Sequence, residues 1–167
     1  MGKVKAFLDT NVLVDLLSAE PRPSTRASEL IFEMARRGFL EAVLTVQSII
    51  DTAYIIRHSP DSLNAMRNKL MVIQRYVNIE SLDFFDLQDA LQYPSSDFED
   101  CAQYFHANSV SCDVLVTSDR KFKSWHSPSE MSVLTPGRIC QEDDGAAAGA
   151  KSREYPISTT GKISRVC

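Results

Sequence analysis

With 167 residues, 44% of them hydrophobic, the chain is long enough for one domain with a proper core. A formal charge of −4 argues against a mainly electrostatic nucleic-acid binder. It leaves room for an enzyme that meets nucleic acid through a local basic rim and bound metal ions, because the ions bring the positive charge. Cys101, Cys112, Cys140 and Cys167 have no C-x-x-C spacing, which argues against a zinc site or redox pair and fits reduced thiols in a cytoplasmic protein.

The start, Met1-Gly2-Lys3-Val4-Lys5-Ala6, has neither the apolar core of a signal peptide nor the Ser or Thr at position 6 of a myristoylation site. No apolar run nears the roughly 18 residues of a membrane span, so none is expected.

Val4-Lys5-Ala6-Phe7-Leu8 predicts a buried strand that ends at Asp9. From Thr10 onward, Val12, Leu13, Leu16 and Leu17 recur at helical spacing, so a helix follows directly. Pro21 and Pro23 make the next stretch a loop. Ser24 or Thr25 caps a second helix that turns Ala27, Leu30, Ile31, Met34 and Ala35 to the core, and Arg36-Arg37-Gly38 stops it. Ala42-Val43-Leu44-Thr45 reads as strand two. A third helix runs from Gln47 to about Arg57, and a fourth starts at Asp61 or Ser62 after Ser59-Pro60, with Leu63, Met66, Leu70 and Ile73 on one side.

Tyr76-Val77-Asn78-Ile79 is a short third strand, and Asp86 to Leu91 a short helix. Ser96-Asp97-Phe98-Glu99 has the capping-box pattern, with Ser96 and Glu99 satisfying each other's amides, at the head of a helix reaching about Ala107. Val114-Leu115-Val116-Thr117 is an apolar strand followed by Ser118-Asp119-Arg120-Lys121, and Ser132-Val133-Leu134 is a last one. Beyond Gln141 the chain has little to bury, so residues 1–140 are expected to form the domain and 141–167 a flexible tail. Strands alternating with helices predict an α/β domain with a largely parallel sheet.

Asp9 ends the first strand, Asp51 lies in the third helix one turn after Ser48 and just beyond the carboxyl end of strand two, Asp100 lies in the first turn of the capped helix, and Asp119 follows the Val114–Thr117 strand by one residue. A parallel sheet puts the carboxyl ends of its strands on one edge, where ligands bind, so the four acids can meet there. Carboxylates crowded together repel one another and want a cation. A hard divalent ion such as Mg²⁺ or Mn²⁺ takes oxygen ligands, activates water and stabilises charge on a leaving oxygen. His58, His106 and His126 show no ligand-like spacing. Read singly, Asp97 and Glu99 are helix-cap or dipole acids, Asp119 a turn residue, and Asp15 and Asp113 surface or turn acids.

Together, three motifs carry a resemblance. Phe7-Leu8-Asp9-Thr10-Asn11-Val12-Leu13 opens the chain. Asp97-Phe98-Glu99-Asp100-Cys101-Ala102-Gln103, followed by Ala107, lies in its middle. Asp113-Val114-Leu115-Val116-Thr117-Ser118-Asp119-Arg120-Lys121-Phe122 comes near its end. In this order, over roughly residues 3 to 140, they resemble the PIN-domain nucleases, and the length resembles their VapC-type toxins. The resemblance implies a three-layer α/β/α sandwich with a central, mainly parallel sheet. It also implies a Mg²⁺- or Mn²⁺-dependent endoribonuclease that cuts single-stranded RNA, leaves a 5′-phosphate and a 3′-hydroxyl, and is paired with an antitoxin.

By position, Asp9, Asp100 and Asp119 match the metal-binding acids, with Asp97 the alternative to Asp100. The family usually has glutamate where Asp51 stands, one methylene longer. Thr10 and Asn11 are expected to bond to Asp9 or a metal-bound water, or Thr10 to act as a plain N-cap. Thr117 and Ser118 would do the same for Asp119. Arg120, Lys121 and Lys123 would hold a substrate phosphate or form a solvated loop. Trp125 and Phe122 would stack on a base or pack in the core or rim. A homodimer joined through helices two and four is expected. The competing readings are a catalytically weak binding module for protein or RNA on the same fold, and a phosphotransfer enzyme with Asp9 as nucleophile. The second lacks its usual partner acid, since Asn11 stands two residues on.

Overall fold

The computed structural model describes residues 3–58, 60–95, 97–119, 122 and 131–139. Five strands form one sheet: β1 (Val4–Leu8), β2 (Leu40–Thr45), β3 (Val77–Glu80), β4 (Val114–Val116) and β5 (Ser132–Leu134). Their order is β3-β2-β1-β4-β5, and every neighbouring pair is parallel. The helices between them are α1 (Thr10–Leu17), α2 (Thr25–Arg36), α3 (Val46–Ile56), α4 (Pro60–Ile73), α5 (Phe84–Gln92) and α6 (Phe98–Ser109).

Side chains alternate across a strand, and this period sorts the core into layers. Ala6, Leu8, Ala42 and Leu44 are buried against Val12 and Leu13 of α1, Ile31 of α2, Ile56 of α3, and Met66 and Ile73 of α4. Phe7, Val43 and Leu115 point the other way, to Tyr104 and Ala107 of α6. Ala90 of α5 packs on Cys101 and Ala102 of α6, which closes that outer layer. The result is a three-layer α/β/α sandwich.

Local signals end the elements where the residue types require. Gly38 takes φ of +76° just after α2, a backbone conformation that glycine adopts without a Cβ penalty. Pro60 opens α4, where a missing N–H costs nothing. Thr45 caps α3 by accepting from the Ser48 amide.

Two caps differ from expectation. A capping box exists, but in α5, between Asp83 and Asp86. At α6 the cap is Asp97, whose Oδ1 accepts from the Asp100 amide at 3.3 Å, and not Ser96 with Glu99. Ser96 and the 141–167 segment lie outside the described residues, as do Arg120, Lys121, Lys123 and Trp125. Phe122 is fully buried in the core, not at a stacking surface. Among the described residues no helix is long and apolar enough to cross a membrane.

β1 lies at the centre. From it the chain moves out to β2 and β3 on one side, then returns to β4 and β5 on the other. The crevice at such a reversal, outside the carboxyl ends of the strands, is where open parallel sheets bind ligands. Asp9 and Asp119 stand at that crevice.

Candidate active site

Asp9 is the residue after β1 and the N-cap of α1. Its amide donates to Val116 O at 3.0 Å, so the β1–α1 turn is hydrogen-bonded to the end of β4. The first residue past β4, Thr117, is buried and donates its hydroxyl to Asp9 Oδ2 at 2.6 Å. The same hydroxyl oxygen accepts from the Asp119 amide at 2.9 Å and from Asn11 Nδ2 at 3.1 Å. Asn11 Nδ2 also donates to Asp9 Oδ2, while Asn11 Oδ1 accepts from the Ser118 amide at 2.9 Å. Two turns from distant parts of the sequence thus hold one carboxylate in a fixed pose.

The roles of the neighbours follow. Asn11 and Thr117 bond to Asp9 directly, and Thr117 also fixes the backbone of Asp119. Ser118 acts through its backbone on Asn11, not through its hydroxyl on Asp119. Thr10 is not the N-cap, because Asp9 occupies that position; its hydroxyl instead accepts from Gln103 of α6 at 3.4 Å.

The first turn of α6 brings the other acids. Asp97, Glu99 and Asp100 line one cleft with Asp9 and Asp119. Burial pushes the Asp9 carboxyl up to about 6; the Thr117 bond opposes this, and Glu99 and Asp119 add to it. Asp100 is pushed up to about 7, by burial first and then by Asp97, Asp9, Asp119 and Glu99. Acids that raise one another in this way have the chemistry of an oxygen-donor set, the kind a hard divalent cation would take. Among the described residues, no three acids, histidines or cysteines stand close enough together to hold one ion directly. Mg²⁺ needs fewer, since it commonly keeps several waters and takes one or two carboxylates. The chemistry of the donor set therefore fits.

Asp51 is placed differently. It sits on α3 with Oδ1 accepting from Gln47 Nε2 at 2.8 Å, and it does not line the cleft.

The cleft has a volume of about 760 Å³ and runs from the acids along α1 to the α1–α2 loop and the start of α4. Arg22 and Lys69 line its far end. Lys69 Nζ donates to Leu16 O at 2.8 Å, and Arg22 is paired with Asp15 at 3.2 Å. Acids at one end and cations at the other suit a polyanion bound along the groove.

A family model of the PIN domain matches residues 5–121, which contain Asp9, Asp51, Asp97, Asp100 and Asp119. The chain belongs to the PIN-domain family. It is similar to Ribonuclease VapC1 of Aquifex aeolicus (strain VF5), 27% identical over 149 residues that cover 84% of this chain and 96% of that protein. Its fold is similar to the crystal structure of Mycobacterium tuberculosis VapC20, a toxin that cleaves the sarcin–ricin loop. That match has a TM-score of 0.57 and 10% sequence identity, over 75% of this chain and 98% of VapC20.

This PIN domain also contains polar groups whose positions the sequence did not disclose. Asp15 is no surface acid: it is 1% exposed, accepts from Ser28 Oγ at 3.1 Å and pairs with Arg22. Its place at helical spacing among Val12, Leu13 and Leu16 was the available signal. Asp113 is an exposed turn acid that accepts from the Lys5 amide at 2.7 Å. His106 is buried with Asp86, Nδ1 to Oδ2 at 2.6 Å, behind the α6 acids. Gln103, at 2% exposure, links Thr10 to Glu99. Cys101 and Cys112 are buried free thiols, and burial pushes Cys112 up to about 12.

Proposed function

We propose that this PIN domain is a Mg²⁺- or Mn²⁺-dependent endoribonuclease that cuts single-stranded RNA and is the toxin of a toxin–antitoxin pair. The observation that carries the reading is Asp9, locked by Asn11 and Thr117, facing Asp100 and Asp119 across one cleft. The similarity to Ribonuclease VapC1, along almost the whole of that protein, supports the activity class.

Asp9, Asp100 and Asp119, with Asp97 at the rim, would hold the ion. When bound, a divalent ion supplies a water activated for attack on phosphorus and positive charge for the leaving oxygen. The chain's own part is positional. Thr117 and Asn11 both donate to Asp9 Oδ2, so that carboxylate needs no reorganisation as charge develops. Arg22 and Lys69 would take backbone phosphates along the groove, and Arg120, Lys121 and Lys123 would do so beside Asp119. Such contacts set register without reading sequence.

Exposed apolar side chains on α3 (Ile50, Tyr54), α4 (Met71, Val72) and α5 (Phe84, Phe85, Leu91) offer surface to an antitoxin or a second copy. The large apolar residues of α2 are not among the exposed ones, so a homodimer would use α4 with α3 or α5, not α2 with α4. The proposed setting is the cytoplasm.

The deciding test is cleavage of single-stranded RNA by the purified chain with Mg²⁺ or Mn²⁺, with and without EDTA. Metal-dependent cutting that Asp9→Asn and Asp100→Asn each reduce at least ~100-fold is expected. Full activity in both variants would remove the site. Stoichiometric Mn²⁺ binding without any cleavage would favour the reading as a binding module.

A further inference from the structure

Between its acidic and cationic ends the cleft changes character, and the change follows one face of α1. Thr10 and Asn11, in the first turn, line it beside the acids, and Val14, Leu17 and Ser18 line it further along at helical spacing. The remaining walls of this middle stretch include Ile55 and Ile56 at the end of α3 and Ala65 in the second turn of α4. Val14, Leu17 and Ile56 are almost wholly buried and close the floor. Ile55, at 48% exposure, and the exposed Ala65 leave apolar surface open to an occupant.

The cations beyond this stretch are held in place. Asp15, whose side chain is fully buried, pairs with the Arg22 guanidinium at 3.2 Å, and the Arg22 amide donates to Thr25 Oγ1 at 2.8 Å. A guanidinium carries five N–H donors, more than one carboxylate oxygen takes. Lys69 Nζ is steadied by Leu16 O at 2.8 Å. The 8 residues of α1 separate the acids from these cations by ~12 Å at helical rise, so no single phosphate reaches both ends. A ligand that fits has anionic groups set apart and a flat apolar group between them. Single-stranded RNA has that form, because its unpaired bases can be splayed onto side chains, whereas the bases of a duplex cover one another.

We propose that the apolar stretch walled by Leu17, Ile55 and Ala65 is a slot for one unpaired base of the RNA. Arg22, positioned by Asp15, and Lys69 hold a flanking phosphate. Apolar walls accept any base, so the slot selects an unpaired strand and not a sequence. This deepens the ribonuclease reading and rests on it.

The test is equilibrium binding, by fluorescence anisotropy, to the full chain carrying Asp9→Asn. Its ligands are a single-stranded RNA, the same strand with every base removed, and the corresponding duplex. The intact strand should bind at least ~10-fold more tightly than the abasic one. Adding Ile55→Ser should lower that ratio several-fold and leave the slope of log K against log salt unchanged, while Ile55→Tyr, with a ring to stack on, should raise the ratio. Lys69→Gln should do the reverse of Ile55→Ser, lowering the slope and keeping the ratio. An unchanged urea melt in Ile55→Ser excludes misfolding as the cause. Equal affinity for the intact and abasic strands, or for single strand and duplex, or an unchanged ratio in Ile55→Ser, would overturn the slot and leave the nuclease reading standing. No binding of any of the three would bring down both.

Discussion

Asp9 is 4% exposed and accepts two side-chain hydrogen bonds, yet burial and its acidic neighbours still hold its carboxyl near 6. An acid raised above its unfolded value contributes stability that is complete below that value and is lost as pH rises through the folded one. For Asp9 the window runs from about 3.8 to about 6, and Asp100, near 7, extends the loss upward. The metal-free protein should therefore lose stability between pH 4 and pH 8, apart from what its other groups contribute. Moving Asp9 from 3.8 to about 6 is worth at most ~3 kcal/mol. Urea unfolding in EDTA should find Asp9→Asn more stable than wild type by up to that amount at pH 8, with the difference vanishing towards pH 4. A difference independent of pH would mean that charge at Asp9 is not the cause. The same substitution should abolish cleavage, so stability and activity would move in opposite directions at one side chain.

α6 brings three acids to the cleft, and it is held by the sheet on one side and by α5 on the other. The joint is Asp86, buried at 2% exposure in the first turn of α5. Its Oδ2 accepts from the Asp83 amide at 3.0 Å and from His106 Nδ1 at 2.6 Å, and its Oδ1 accepts from Ser109 Oγ at 2.9 Å. One carboxylate thus completes the α5 capping box and binds the C-terminal half of α6. Asp86→Ala removes a cap and leaves a buried imidazole without its acceptor. Those losses together should cost ~3 kcal/mol in a urea melt, while Asp86→Asn, which keeps acceptor atoms, should cost less. Because Asp97, Glu99 and Asp100 ride on α6, Asp86→Ala should also weaken Mn²⁺ binding, although residue 86 lines no part of the cleft. Unchanged Mn²⁺ affinity would mean that α6 is held without α5. His106 touches Phe7 of β1 edge-on at 6.1 Å, so this joint reaches the strand that leads to Asp9.

A molecule of net charge −4 cannot hold RNA by its overall field, so under the proposed function the affinity would come from local cations and metal. Arg22 and Lys69 are two such cations on the cleft. Arg22 is a poor probe, because removing it strands the buried Asp15. Among the described residues Lys69 donates to a backbone carbonyl alone and can be changed cleanly. If it meets a phosphate, Lys69→Gln in the Asp9→Asn background should lower the slope of log K against log salt for single-stranded RNA by about 0.7. An unchanged slope would place the strand elsewhere on the molecule.

The order of elements, the parallel sheet and the strand-end position of Asp9 and Asp119 were legible in the chain because each rests on local physics. Apolar period separates strand from helix within a few residues, and the parallel rule carries strand ends to one edge. Asp100 was legible for the same reason, at the head of a helix whose start is marked by polar caps. What packing alone decided lies between segments far apart in sequence. Whether Glu99 or Asp51 enters the cleft depends on how α3 and α6 are rotated about their axes, which no local signal encodes. Asp15 reads as a surface acid and Asp86 only as the head of a short helix until Arg22, Ser28 and His106 arrive from other segments to satisfy them. A buried charge is tolerated only with its partner present, and the partner is a property of the folded molecule.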